Sequence, residues 1–379
     1  MTQHPVYRVG LIGCGRKGTV HARSYDLDPR ARIVAGADTD PENLDLFCER
    51  FDVPGYSNYE EMIEQERIDI ALPILPVTPN PEIVIRCAQS GVKGIGCEKP
   101  MAASLAQADE MVAQCRTHNV VLAAGDLDVN LPHYARARDL IDSGLIGEVR
   151  TINVMMGSGA QLSGGHIQQF SLTRFFAGGA DVAWVIGWVS GDPESDYDQG
   201  GAGYIRFVNG VEAFFDRRDT ARYGFEVRCR KGTVVSDYRH VHVWKTCADE
   251  GPIERKFERV EGVVPETELY EGSKTYDAEG WRVFPRNNAT ARNLIDALAN
   301  GTEPPGNGDN GRKALEIGIA LRESHRRGHV PVSCPLPDRS MRIVPSDSRN
   351  FNKKQTRDRD AYMAGLRAQK VDPATLEDR

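Results

Sequence analysis

Apolar residues along this 379-residue chain follow two rhythms. Up to Gly125, short apolar runs alternate with longer stretches of helical period. The runs end at Gly13, at Asp38, at position 75 (68–75, broken by Pro73), at Cys97 (92–97) and at Gly125 (120–125). Between them the spacing predicts a helix after the first run, then helices at 41–51 behind an Asp-Pro cap, 59–65, 81–90 closed by Gly91, and 104–119. Strand and helix in turn predict a parallel, doubly wound sheet.

After Gly125 the rhythm changes. A helix is predicted at 132–143 with Gly144 as its stop, a strand at 149–155, and a helix at 167–176 closed by Gly178 and Gly179. From 202 to about 260 the pattern alternates with period two, and Asn209-Gly210 is a hairpin signal. Helices return at 289–299 and 311–325. The expected fold class is therefore α/β. A Rossmann dinucleotide-binding domain at 1–125 precedes an α+β domain at 126–345 with a large, mostly antiparallel open sheet. A polar arm at 346–379 mixes both charges and carries no assigned chemistry.

Composition narrows the partners. The length suits two domains. The net charge of −7 leaves no basic excess for nucleic acid. No apolar run approaches membrane-spanning length, and the first strand begins too early to leave room for a signal peptide. The eight cysteines are scattered without metal-ligand spacing, so no metal is expected, and they read as reduced thiols of a cytoplasmic protein. Cys14 and Cys97 read as small packing residues.

The richest chemistry lies at Gly13-Cys14-Gly15-Arg16-Lys17-Gly18, between a predicted strand and a predicted helix, with Asp38 about twenty residues beyond Gly18. Gly13 permits the tight turn, Gly15 lets a pyrophosphate approach the backbone, and Gly18 lets the helix pack on the strand. The helix N-terminus offers N–H groups to the phosphates. Asp38 would accept hydrogen bonds from the ribose hydroxyls and repel a 2′-phosphate, which favours NAD over NADP. Pro76 and Thr78, after the run at 68–75, complete the expected cofactor contacts.

A second motif, "GCEKPMAAS" at 96–104, places a carboxylate, an ammonium and a rigid proline at a strand's carboxyl end, where open α/β sheets bind ligands. With it and the glycine loop the chain resembles the Gfo/Idh/MocA family of NAD(P)-dependent oxidoreductases, which act mainly on sugars, polyols and their derivatives. His21 in the helix after the loop, "PHYARARDLIDSGLIGEV" and "GRKALEIGIALRESHRRGHVPV" extend the resemblance over roughly 6–345. The resemblance implies that Glu98 contacts the nicotinamide ribose. Lys99 would project toward the nicotinamide and the reacting carbon, and Pro100, often preceded by a cis bond, would fix its direction. A lysine beside an oxidised nicotinamide has its pKa lowered toward the range useful for proton transfer.

Against that family pattern the chain departs at one segment. Aligning on "RFFAG", Gln168 stands at the usual histidine, Gly164 at the aspartate four residues before it and Ser171 at a later aspartate. Glutamine binds a hydroxyl but does not take its proton. Three explanations stay open: His166, presented by Gly164-Gly165, is the base; Lys99 acts alone while Gln168 and Gln169 orient the substrate; or the hydride chemistry is weak or absent. Val129 also replaces an arginine that related members often place three residues before the proline, leaving Asp126, Asp128 and Asn130 to meet substrate hydroxyls. Asp126 and Asn130 are counted as substrate contacts with Lys99, His166, Gln168 and Gln169. Trp281 is a stacking platform or a core residue. Three functions follow: a dehydrogenase or reductase of a sugar, polyol or sugar acid; an enzyme that retains NAD and oxidises transiently during glycoside chemistry; or a non-catalytic NAD and sugar-binding protein. A homodimer or homotetramer is expected, because an open sheet of this size needs covering.

Overall fold

The computed structural model describes residues 6–125, 128–156, 161–216, 224–237, 240–247, 256–263, 275–276 and 282–345. Asp126, Trp281 and the arm at 346–379 lie outside the described residues.

Six strands, β1 (Tyr7–Ile12), β2 (Ala31–Ala37), β3 (Gly55–Tyr56), β4 (Ile70–Pro73), β5 (Gly94–Gly96) and β6 (Val121–Ala123), form a parallel sheet in the order β3-β2-β1-β4-β5-β6. Their near-continuous apolar character follows from burial on both faces. Helices α1 (Arg16–Asp26), α2 (Pro41–Phe51), α3 (Tyr59–Glu66), α4 (Asn80–Gln89) and α5 (Leu105–Thr117) connect them. Local signals set the helix starts. Asp40 caps α2 by accepting from the N–H groups of Glu42 and Asn43, and Ser104 and Gln107 form a capping box at α5. Strand order reverses between β2-β1 and β1-β4, which opens the crevice where such sheets take ligands.

The second sheet has nine strands in the order β14-β13-β12-β11-β7-β10-β9-β8-β17. They are β7 (Val149–Met155), β8 (Val182–Val189), β9 (Gly201–Phe207), β10 (Glu212–Asp216), β11 (Gly224–Cys229), β12 (Gly232–Ser236), β13 (Val241–Thr246), β14 (Phe257–Val260) and β17 (Val332–Ser333). β15 (Thr275–Tyr276) and β16 (Arg282–Val283) pair separately. Every pairing in the large sheet is antiparallel except β7 with β10. Gly210, at φ +88°, closes the β9–β10 hairpin as the Asn-Gly pair predicts. Helices α6 (Pro132–Asp142), α7 (Gly165–Phe176), α8 (Pro285–Asn300) and α9 (Gly308–Arg326) complete the fold. α9 presses onto β8 and β9 where Gly187 faces Gly203; a Cβ at either would lie 2.5 Å from the Leu321 side chain.

Three differences from the sequence reading have physical causes. β8, "VAWVIGWV", is apolar almost throughout, so alternation does not mark it as a strand. α8 and α9 start earlier than expected, because Pro285 occupies the first turn of one and Asn307 caps the other. α8 also packs back on the parallel sheet, with Leu294 and Leu298 against Gly94 and with Ala291 and Ile295 in the core that holds Tyr7 and Val9.

Candidate active site

The glycine loop leaves β1 and enters α1. Gly13 has φ +96°, and a Cβ there would lie 2.6 Å from the Ile74 carbonyl oxygen. At Gly18 a Cβ would lie 1.9 Å from the Gly13 carbonyl oxygen, so the helix packs on the turn only without a side chain. Gly15 is the N-cap of α1, extended at φ −64° and ψ 179°; the helix has no side-chain cap and no acidic residue in its first turn. Asp38 follows β2 and faces the loop. Its Oδ2 accepts from the Cys14 N–H at 2.7 Å and its Oδ1 from the Asp40 N–H at 2.8 Å. Burial raises the Asp38 carboxyl above its ordinary value against these two bonds. Pro76 and Thr78 lie in the turn after β4, and Leu75 of that turn touches the space beside Gly13.

At the end of β5, Glu98 and Lys99 precede a cis Lys99–Pro100 peptide. His21 of α1, buried, meets Glu98 Oε1 through Nε2 at 2.8 Å. Burial would raise the Glu98 carboxyl, but the His21 hydrogen bond and the charges of His21, Lys17 and Lys99 hold it well below the usual carboxylate range. Glu98 Oε2 also accepts from the Lys99 N–H at 3.1 Å. Gly125, at φ +64°, supports this turn from behind: a Cβ there would lie 2.7 Å from Lys99 N and 2.6 Å from the Cys97 carbonyl oxygen. Only glycine admits the strand so close.

Lys99 reaches the second domain. Its Nζ donates to the Gly164 carbonyl at 3.4 Å, at the N-cap of α7. The helix begins at Gly165, two residues before the predicted start. His166 therefore sits in the first helical turn rather than on a glycine loop, which corrects that expectation. It is 0% exposed, with its ring 5.8 Å from that of Phe170. Gln168 and Gln169 are 8% and 5% exposed in the same turn. Gln169 Nε2 donates to Asp128 Oδ2 at 3.4 Å, and Arg286 Nη1 at the start of α8 donates to Asp128 Oδ1 at 3.3 Å. Asn130 turns to α8 instead: its side chain donates to Thr290 and accepts from Asn293 Nδ2 at 2.9 Å. Lys17 Nζ lies 5.5 Å from the centre of the Phe284 ring, the N-cap of α8. A circuit of contacts thus runs Lys17, Phe284, Arg286, Asp128, Gln169, the first turn of α7, Lys99, Glu98 and His21, and returns to α1. It joins the glycine loop to the second domain.

Arg286, Gly125 and His133, which is buried within reach of the Asp128 charge, also belong to this neighbourhood. Arg286 is 158 positions from Asp128, and no local motif announces it. The cysteines behave as packing residues; Cys14 and Cys97 are buried, and burial pushes the Cys14 thiol far up. Among the described residues no group of side chains could hold a metal ion, and no helix is long and apolar enough to cross a membrane.

Residues 7–126 match the Gfo/Idh/MocA model, described as an oxidoreductase family with an NAD-binding Rossmann fold. Myo-inositol 2-dehydrogenase of Thermotoga maritima is 27% identical over 254 residues, 61% of this chain and 75% of that protein. The 2,7-anhydro-N-acetylneuraminate hydratase of Mediterraneibacter gnavus is 34% identical over 140 residues, 37% of this chain and 36% of that one. Levoglucosan dehydrogenase, solved with NADH and levoglucosan, superposes with a TM-score of 0.69 at 21% identity, covering 87% of this chain and 100% of that one. At that identity the likeness concerns the fold.

Proposed function

We infer that this chain, whose residues 7–126 match the Gfo/Idh/MocA oxidoreductase model, moves a hydride between NAD and a hydroxyl-bearing carbon of a sugar, polyol or sugar acid. The residues present fit the cofactor. Positions 13 and 18 of the turn leave no room for a Cβ, and α1 begins without a side-chain cap or a carboxylate that would compete with phosphate. Gly13, Cys14, Gly15, Arg16, Lys17 and Gly18 would hold the pyrophosphate, Asp38 a ribose, Pro76 and Thr78 the flank, and Glu98 the nicotinamide ribose. NAD, when bound there, supplies the hydride acceptor.

The chain's own residues place and manage the proton. Glu98, kept ionised by His21, positions the ribose side of the cleft. Lys99 Nζ takes the hydroxyl proton in oxidation and returns it in reduction. Gln168 and Gln169 orient the substrate. The burial of His166 against Phe170 favours this division over His166 as the base. The observation that carries the reading is Lys99 Nζ at 3.4 Å from Gly164 O, which spans the two domains at the end of β5.

Lys99→Ala tests it. Turnover should fall by about 10²–10⁴-fold, the usual worth of a general acid or base, while NAD affinity changes little. Full activity in the variant would contradict the role. A second reading, transient oxidation with NAD retained, is favoured by Gln168 where the family's histidine stands and by the hydratase among the relatives. It predicts product without net NADH.

A further inference from the structure

We propose that Asp128, Arg286 and Gln169 form a hydroxyl-reading subsite that holds a neutral polyol by two adjacent hydroxyls. The proposal rests on the oxidoreductase reading and names the substrate chemistry of the same cleft.

Position comes first. Gln169 follows Gly165 by one turn of α7, about 6 Å along the helix axis. Lys99 contacts the helix at Gly164. Gln169 there contacts Asp128, so a polyol held at Lys99 and lying along this turn meets both side chains together. Val129, where related members often carry an arginine, is 1% exposed and points into the core. Arg286 brings a guanidinium to this neighbourhood from α8 instead.

Hydrogen-bond capacity comes second. Asp128 is 8% exposed, yet its two side-chain bonds among the described residues, from Arg286 at 3.3 Å and Gln169 at 3.4 Å, are both long. A buried carboxylate normally receives closer donors. Gln169 Oε1 is buried and has no hydrogen-bond partner among the described residues. So the cluster sets two acceptors, one held by long bonds and one without a partner among the described residues, beside a guanidinium. Two neighbouring hydroxyls match that set, since each both donates and accepts. A substrate carboxylate has no proton to give either acceptor, and it would bring a second negative charge beside Asp128. The subsite therefore favours neutral diols over hydroxy acids.

Ring probes that differ in one group test this. The full chain, loaded with NADH, is titrated with cyclohexanol, with a cyclohexanediol carrying adjacent hydroxyls, and with 2-hydroxycyclohexanecarboxylate, following NADH fluorescence. The wild type should bind the diol roughly tenfold or more tighter than the other two, as expected for paired polar contacts to charged groups. Asp128→Asn, which keeps shape and removes charge, should erase the preference, as should Arg286→Met. Arg286→Lys should restore part of it, and NADH affinity should stay constant throughout. The proposal is overturned if the wild type fails to bind the diol or shows no preference. It is overturned equally if Asp128→Asn keeps the preference, or if that variant loses NADH affinity, which would mark a structural role. Preference without NADH formation from any alcohol would sink the oxidoreductase reading and leave the subsite standing; turnover without preference would do the reverse.

Discussion

Single residues carry the sharpest consequences of burial. His133, at the start of α6, is 5% exposed, and desolvation lowers its pKa from 6.5 to about 4, against the pull of Asp128. Between those values the unfolded chain takes up a proton that the folded chain refuses. Stability should therefore fall as pH drops from 6.5 toward 4, by roughly 3 kcal/mol at full effect. Urea midpoints measured against pH for the wild type and His133→Asn check this; the variant should be flatter across that window. Glu98 works in the same direction at lower pH. Its folded pKa is depressed, so its contribution is present above 4.5 and is lost as pH falls below that value. Glu98→Gln should remove that part of the acid sensitivity. The glycine loop, Asp38 and Glu98-Lys99-Pro100 were legible at this scale as local motifs, because each lies in one short segment. His133 and Arg286 were not legible, since what defines them is burial and a contact made across 158 positions.

At the scale of elements, glycines decide how closely helices meet sheets. Gly18 and Gly187 do this in different domains, and their substitutions should part company. Gly18→Ala places a Cβ 1.9 Å from the Gly13 carbonyl oxygen and pushes α1 off the turn, so NAD affinity should drop sharply. Gly187→Ala meets Leu321 at 2.5 Å on its side chain and 2.9 Å at its Cα, so α9 must lift from β8. Its cost should be about 1–3 kcal/mol in urea unfolding, as for other overpacked contacts, with NAD affinity nearly intact. Element boundaries were readable where a cap or a glycine stop marks them, as at Asp40 and Gly91. β8 was not, because its apolar run has no clear period, and α7 began before the sequence suggested because two glycines hid its first turn.

For the whole molecule, one face of the nine-stranded sheet carries α7 and α9 and the other exposes aromatic side chains. The rings of Trp184, Tyr204 and Phe214 contact one another in a row across β8, β9 and β10, tilted and then edge-on, and Trp188 further along β8 is 48% exposed. Exposed aromatic rings on this face, flanked by the Arg206–Glu212 ion pair, suit an interface, and we propose that a second copy of the chain covers them. Light scattering should give a dimer or tetramer, and Trp188→Glu with Phe214→Glu should shift it toward monomer; a monomeric wild type would contradict the proposal. Net hydride transfer at the Lys99 cleft would show as NADH absorbance on mixing the protein with NAD and a panel of sugars, polyols and sugar acids. Absorbance should rise with a class of neutral polyols and stay flat for Lys99→Ala. A flat trace for every member of the panel, in protein shown to bind NAD, would contradict it.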